Sequence, residues 1–235
     1  MISNLRPKGR ENTLKEYLRF GVNLVYSEGI KTEPYYVDNI KKLIATKYNC
    51  RPNEITIISV NKEGKSYHTV SLVQYAKKDV NIRRKNGEKI DHVWIFFDKD
   101  EFEDFYKAHR LIIKSNNSKD KNAYGCYYDK KTGISWHSCW SNEAFELWLV
   151  SYLKYDQAKH HRSDHVHYLE ERFKSKGIEP YSKSGKNIHD KLIECGGSLN
   201  DAIQNTEKNN NDNKTNNPSS GVVEFIKFFR PYFEN

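Results

Sequence analysis

The stretch His92-Val93-Trp94-Ile95-Phe96-Phe97-Asp98-Lys99-Asp100 decides the fold. Five large apolar residues run without a break and end in two acids. A strand with one wet face alternates apolar and polar side chains. An unbroken apolar run instead marks a strand buried on both faces, as in a parallel sheet covered by helices. Working outward, Val22-Asn23-Leu24-Val25-Tyr26-Ser27 is a second β-rich run that ends in the turn signal Glu28-Gly29. Ile55-Thr56-Ile57-Ile58-Ser59-Val60 is a third. Between these two runs, Tyr36, Ile40, Leu43, Ile44 and Tyr48 recur at helical spacing, with Pro34 early enough for a first helical turn to tolerate it. Helices are also expected over 69–79 and 101–114. Strand–helix alternation of this kind predicts an α/β fold, a mostly parallel sheet with right-handed crossovers flanked by helices. A shorter strand is expected over 133–137. Residues 142–153, 164–174 and 187–206 read as helices. Residues 205–217 hold seven asparagines and no large apolar residue, and read as a flexible loop. A last amphipathic helix is expected over 222–229. The expected organisation is an α/β core over 1–140, with a basic lead-in over 1–20 and a short helix at 13–19. A helical C-terminal region over 141–235 packs on that core.

The chain has 235 residues, of which 37% are apolar and 13% aromatic, enough to bury a core. No apolar run approaches the roughly 20 residues of a membrane span. The polar, basic first ten residues hold no apolar stretch of a secretory leader. Cys50, Cys126, Cys139 and Cys195 lie far apart without a CxxC pair, which argues against a zinc ribbon or a disulfide scaffold. The expectation is a protein of the reducing cytoplasm with no membrane partner. Lys and Arg number 39 against 31 Asp and Glu, a net charge of +8. Residues 1–120 hold 23 basic and 16 acidic residues, so nearly all of the excess lies there. It is densest at Arg83-Arg84-Lys85, preceded by Lys77 and Lys78. Such a run is either a solvated helix end or a patch that contacts phosphate.

Glu28 falls at the C-terminal end of the first strand, and Asp98 and Asp100 at that of the apolar strand. Ligands of open parallel sheets bind at these strand ends. If the two strands are neighbours, the three carboxylates converge, with Asp98 and Asp100 on one side of an extended chain. Convergent carboxylates repel, and a divalent cation removes the repulsion. Hard oxygen donors suit Mg²⁺ or Mn²⁺. The alternative is that an aspartate caps the next helix and Glu28 is a turn residue. Glu146 lies among Phe145, Leu147 and Trp148, where a carboxylate is costly unless a metal or a lysine pairs with it. Ser141 or Asn142 would cap its helix.

Ser27-Glu28-Gly29-Ile30-Lys31-Thr32-Glu33-Pro34-Tyr35-Tyr36 resembles the E-G-x-K-T-E-x-x-Y motif of RloB-type proteins. Phe97-Asp98-Lys99-Asp100 is similar to that family's D-x-D. Ser141-Asn142-Glu143-Ala144-Phe145-Glu146-Leu147-Trp148 is similar to its S-N-P-x-F-E-x-W, and Asn217-Pro218-Ser219-Ser220 to its N-P-[ST]-[ST]. The motifs keep the family's order and span 22–221. The departure is Glu143, where the family pattern has proline. The resemblance implies a Toprim-like, Rossmann-like catalytic core and a place in phage defence, such as the AbiL abortive-infection system, where a RloB-like protein accompanies an ATPase. It implies a proton-transfer role for Glu28 and Mg²⁺ binding by Asp98 and Asp100. Lys31, one turn beyond Glu28, could contact phosphate or be an exposed lysine. Glu33 could be a further metal ligand or simply favour a helix N-terminus.

Other clusters are weaker. His160, His161, His165 and His167 lack an HExxH or a matching acid cluster and read as a polar helix surface. Trp136-His137-Ser138-Cys139 has no nucleophile-elbow pattern, and Cys139 reads as structural. Gly64-Lys65-Ser66 lacks the upstream glycine of a phosphate loop. Tyr181, Lys183 and Lys186 could stack bases and hold phosphates, or form a plain loop. The expected function is a Mg²⁺- or Mn²⁺-dependent nuclease, the toxic effector of an anti-phage pair with an ATPase partner, acting on RNA (tRNA included) or DNA. The rival is a non-catalytic regulatory subunit that binds nucleic acid or the ATPase. A topoisomerase-like or primase-like enzyme is weaker, because no nucleophilic-tyrosine domain is evident. The oligomeric state is not encoded in any motif.

Overall fold

A computed structural model describes residues 20–60, 68–99, 104–113 and 125–234. The expected short helix at 13–19, the Gly64-Lys65-Ser66 stretch and Asp100 lie outside the described residues. The apolar run forms β3 (His92–Asp98), at the centre of the sheet. On one side it pairs in parallel with β1 (Asn23–Ser27), which pairs in parallel with β2 (Ile57–Ser59). On the other it pairs in parallel with β5 (Ile134–Asn142), which carries β4 (Cys126–Asp129) and β6 (Ser219–Ser220) antiparallel. The order along the main path is β2-β1-β3-β5-β4. The helices are α1 (Thr32–Lys47), α2 (Thr69–Lys85), α3 (Asp104–Ile113), α4 (Glu146–Ser151), α5 (Arg162–Ser175), α6 (Ile188–Glu194), α7 (Leu199–Asn213) and α8 (Val222–Phe229). The mixed α/β fold, with a mostly parallel sheet and a helical C-terminal part, is as expected.

Strand alternation splits the apolar run between two cores. Val93, Ile95 and Phe97 face Val73 and Ala76 of α2 and Phe105 of α3. Trp94 and Phe96 face the other way, into a core shared by Ile40 and Ile44 of α1, Leu169 of α5, Leu192 of α6 and Phe225 and Phe229 of α8. One strand therefore needs apolar side chains at every position. On the α1 side the Tyr36 and Tyr152 hydroxyls are 2.7 Å apart, and Tyr152 also bonds His189 Nδ1 at 3.0 Å. That buried chain ties α1 to the C-terminal helices.

Several boundaries differ from expectation. Residues 205–217 are not a loop: α7 continues through Asn213. Its asparagines serve backbone groups that need partners. Asn205 Nδ2 donates to the Ser151 carbonyl at 2.8 Å, and Asn209 Nδ2 to that of Asp156 at 3.1 Å. Asn210 exchanges two 2.8 Å bonds with the Ser220 backbone. A polar stripe can face protein when what it meets is unpaired backbone. The helix expected from 142 starts only at Glu146, because Ser141 and Asn142 extend β5 and pair with Ser220 and Ser219. Neither residue caps the helix. The Asn142–Glu143 peptide is cis. The helix expected over 187–206 breaks into α6 and α7 at Gly196, whose φ is +87°, and Ser198 caps α7 by accepting from Asp201 N–H at 2.9 Å. The helix expected to end at 79 runs on to Lys85, supported by the Arg83–Asp79 pair one turn apart. Among the described residues no helix is long and apolar enough to cross a membrane.

Phe96 is fully buried at the centre of the larger core. Phe96→Ala is expected to cost about 3–5 kcal/mol in urea unfolding, and Ile82→Ala, on the exposed face of α2, less than about 0.5 kcal/mol. Equal effects would contradict this assignment of the core.

Candidate functional site at the carboxyl ends of the parallel strands

The register sets the site. Ser27 of β1 lies opposite Phe96 of β3, so Glu28 leaves its strand beside Asp98. Glu28 N–H donates to the Phe96 carbonyl at 3.0 Å, one step beyond the ladder. Its carboxylate accepts from the Asp98 backbone N–H at 3.3 Å and from the Thr69 hydroxyl at 3.4 Å. Thr69 is the first residue of α2, so the glutamate is held by a neighbouring strand and a neighbouring helix.

Around this pair opens a cavity of about 300 Å³ lined by Glu28, Lys31, Glu33, Asp98, Glu146, Arg162 and Lys183, among others. Four carboxylates and three cations from the turn between β1 and α1, the first turn of α1, β3, α4, α5 and the chain after α5 meet there. Glu33 is buried in the first turn of α1. Its carboxylate folds back over Gly29, and a Cβ at that position would collide with it. The glycine and the second glutamate of Glu28-Gly29-Ile30-Lys31-Thr32-Glu33 are thus one structural unit. Glu146 is 2% exposed. It accepts a 2.8 Å bond from the Tyr181 hydroxyl and meets Lys183 Nζ at 3.4 Å. The lysine pairing weighed for Glu146 is present, and Lys183 supplies it.

Electrostatics follow from burial. Burial pushes the Glu33 carboxyl up to about 7, and the charges of Glu146 and Glu28 add to this while Lys183 opposes it. Asp98 is held well above the usual carboxylate range, first by burial and then by Glu33, Glu146 and Glu28, with Arg162 opposing. The donors are the hard oxygens that suit Mg²⁺ or Mn²⁺. Among the described residues no three His, Cys, Asp or Glu side chains stand grouped as a finished metal cage. Asp100 is outside that description.

The structure brings Glu28, Lys31, Glu33, Asp98, Glu146 and Lys183 to one cavity. It does not bring Arg83, Arg84 and Lys85 there. They end α2, whose other end carries Thr69, and the rise of a helix separates them from it by roughly 20 Å. Arg83 is also engaged with Asp79 at 2.8 Å and Glu88 at 3.0 Å. Sequence reasoning missed Arg162 and Thr69. Arg162 follows two histidines that drew attention instead, and nothing in its spacing marked it. The histidines serve separate local purposes. His160 pairs with Asp156 at 2.9 Å, His161 caps α5, and His167 pairs with Glu171 at 3.2 Å. His165 is buried, which lowers it to about 4. Cys139 is buried too, and its thiol is held well up, as fits a structural residue.

A carboxyl raised by burial destabilises the fold wherever the unfolded chain would ionise more readily. The unfolded Glu33 titrates near 4.5 and the folded one near 7, so in chelator the stability falls as pH rises between those values. Glu33→Gln is expected to leave the unfolding free energy unchanged below pH 4.5 and to raise it by a few kcal/mol above pH 7. A pH-independent difference in urea unfolding would contradict the buried-acid account.

No curated protein and no solved structure matches the chain. A family model described as RloB-like protein matches residues 23–229. The match runs from the first residue of β1 to the last of α8 and takes in every residue of the cavity, so the chain belongs to the RloB-like protein family.

Proposed function

We propose that the protein is a divalent-metal-dependent, Toprim-type nuclease, the toxic effector of an anti-phage abortive-infection system with a partner ATPase. The observation that carries the proposal is the cavity where Glu28, Glu33, Asp98 and Glu146 meet Lys31, Arg162 and Lys183 at the ends of parallel strands. A phosphodiester needs cations for its charged oxygens and a group to move a proton, and both are present. Glu28 is the proton-transfer residue. Its bonds to Thr69 and to the Asp98 amide fix the carboxylate at the cavity wall. Asp98, with Asp100 beside it in sequence, is the principal cation ligand, and Glu33 and Glu146 add negative charge. Bound Mg²⁺ or Mn²⁺ would activate water and stabilise charge on the leaving oxygen. Lys31 at the start of α1, Arg162 at the start of α5 and Lys183 orient the phosphate backbone. RNA, tRNA included, and DNA all present this group. The distant Arg83-Arg84-Lys85 run is a secondary contact for a long substrate.

The second reading, a non-catalytic regulatory subunit that binds nucleic acid or the ATPase, draws on the Lys183–Glu146 ion pair, which neutralises an acid without a metal. The two separate in an assay of the purified protein against total RNA, tRNA and plasmid, with Mn²⁺ or with chelator. Cleavage is expected only with Mn²⁺, and Glu28→Ala and Asp98→Ala should each lower it at least about a hundredfold. Unchanged cleavage and cellular toxicity in both variants would end the catalytic reading.

A further inference from the structure

A strap of chain crosses the acid cavity. Residues 176–187, between α5 and α6, are largely exposed, but Tyr181 is buried at 5%. Its hydroxyl donates to Glu146 Oε1 at 2.8 Å, and two residues on Lys183 Nζ meets the same oxygen at 3.4 Å. The Lys183 carbonyl accepts from the hydroxyl of Thr32, the first residue of α1, at 3.4 Å. The strap is thus fastened by a tyrosine and a backbone carbonyl, neither of which needs the lysine's charge.

The ion pair is lopsided. The Lys183 side chain is 58% exposed and that of Glu146 is 3% exposed. A lysine so placed has water within reach, and a surface ion pair repays little of the freedom its side chain gives up. The glutamate cannot leave, being enclosed at the start of α4 beside Leu147 and Trp148. Removing a charge partner from a buried carboxylate is costly unless another cation replaces it. Glu33, Glu28 and Asp98 line the same cavity as Glu146 and carry the same sign, alongside Lys31 and Arg162. A divalent cation carries twice the charge of an ammonium and prefers hard oxygens. The lysine is the one of the two that can move.

We propose that Lys183 is a displaceable counter-ion of this cavity, neutralising Glu146 until a divalent cation takes its place. The proposal rests on the reading of the cavity as a divalent-cation site. Competition by the protein's own lysine weakens cation binding and sets the concentration at which the cavity fills. The ammonium, once released, is free on the strap at the cavity mouth, where substrate phosphate would approach.

The test is Mn²⁺ binding to the full chain without nucleic acid, followed by electron paramagnetic resonance, for the wild type, Lys183→Met, Lys183→Arg and Asp98→Ala. Lys183→Met is expected to bind Mn²⁺ on the order of tenfold more tightly than the wild type, a difference of about 1.4 kcal/mol. Lys183→Arg keeps the charge and should stay within about twofold. In chelator Lys183→Arg, which keeps the charge, should melt with the wild type, and Lys183→Met should melt lower, because it leaves the buried Glu146 without that cation. Equal or weaker Mn²⁺ binding by Lys183→Met would overturn the counter-ion role and leave the metal site standing. No binding by any of the proteins, or binding that survives Asp98→Ala, would overturn the metal site and the counter-ion role together.

Discussion

The parallel register between β1 and β3 is the constraint from which the rest follows. Setting Ser27 against Phe96 brings Glu28 to the amide of Asp98 and places two carboxylates on one edge of the sheet. A slip of one residue would turn Val25 and Tyr26 to the wrong cores and carry Glu28 away from its partner. The apolar side chains on both faces of β3 enforce that register, since Trp94 and Phe96 fit only the α1 side and Ile95 and Phe97 only the α2 side. The hydrophobic effect thus holds acids together that electrostatics alone would separate.

The cavity is consequently a place of unresolved charge. Four carboxylates share the space with three cations, and burial together with like charges raises both Asp98 and Glu33, Glu33 to about 7. A proton, an ammonium or, on the proposed reading, a divalent cation would each relieve the same repulsion. Lys183 fills that role from outside, and Gly29 fills a steric one by leaving room for the Glu33 carboxylate. Function at this edge would consist of exchanging one kind of neutralisation for another.

Much of this was legible in the sequence, for physical reasons. An unbroken apolar strand, β-rich runs at 22–27 and 55–60 and helical periodicity at 32–48 are local signals, and all led to elements close to those observed. The acids at strand ends stood out because nothing in packing demands them. The rest depended on distant partners. The asparagines of α7 resemble a loop until the carbonyls of Ser151 and Asp156 are known to lie beside them. β5 runs through Asn142 only because β6, some eighty residues later, pairs with its end. Arg162 reaches the cavity through the packing of α5, and no spacing encodes that. The basic run at 83–85 had the right composition but the wrong end of its helix.

The central claim is that the convergent carboxylates form a divalent-cation site. Crystals grown with Mn²⁺ and examined by anomalous scattering test it most directly. The account predicts a single strong peak in the cavity within coordination distance of Asp98, with Lys183 turned away from Glu146. A cavity without a peak at saturating Mn²⁺, with Lys183 still on Glu146, would contradict it.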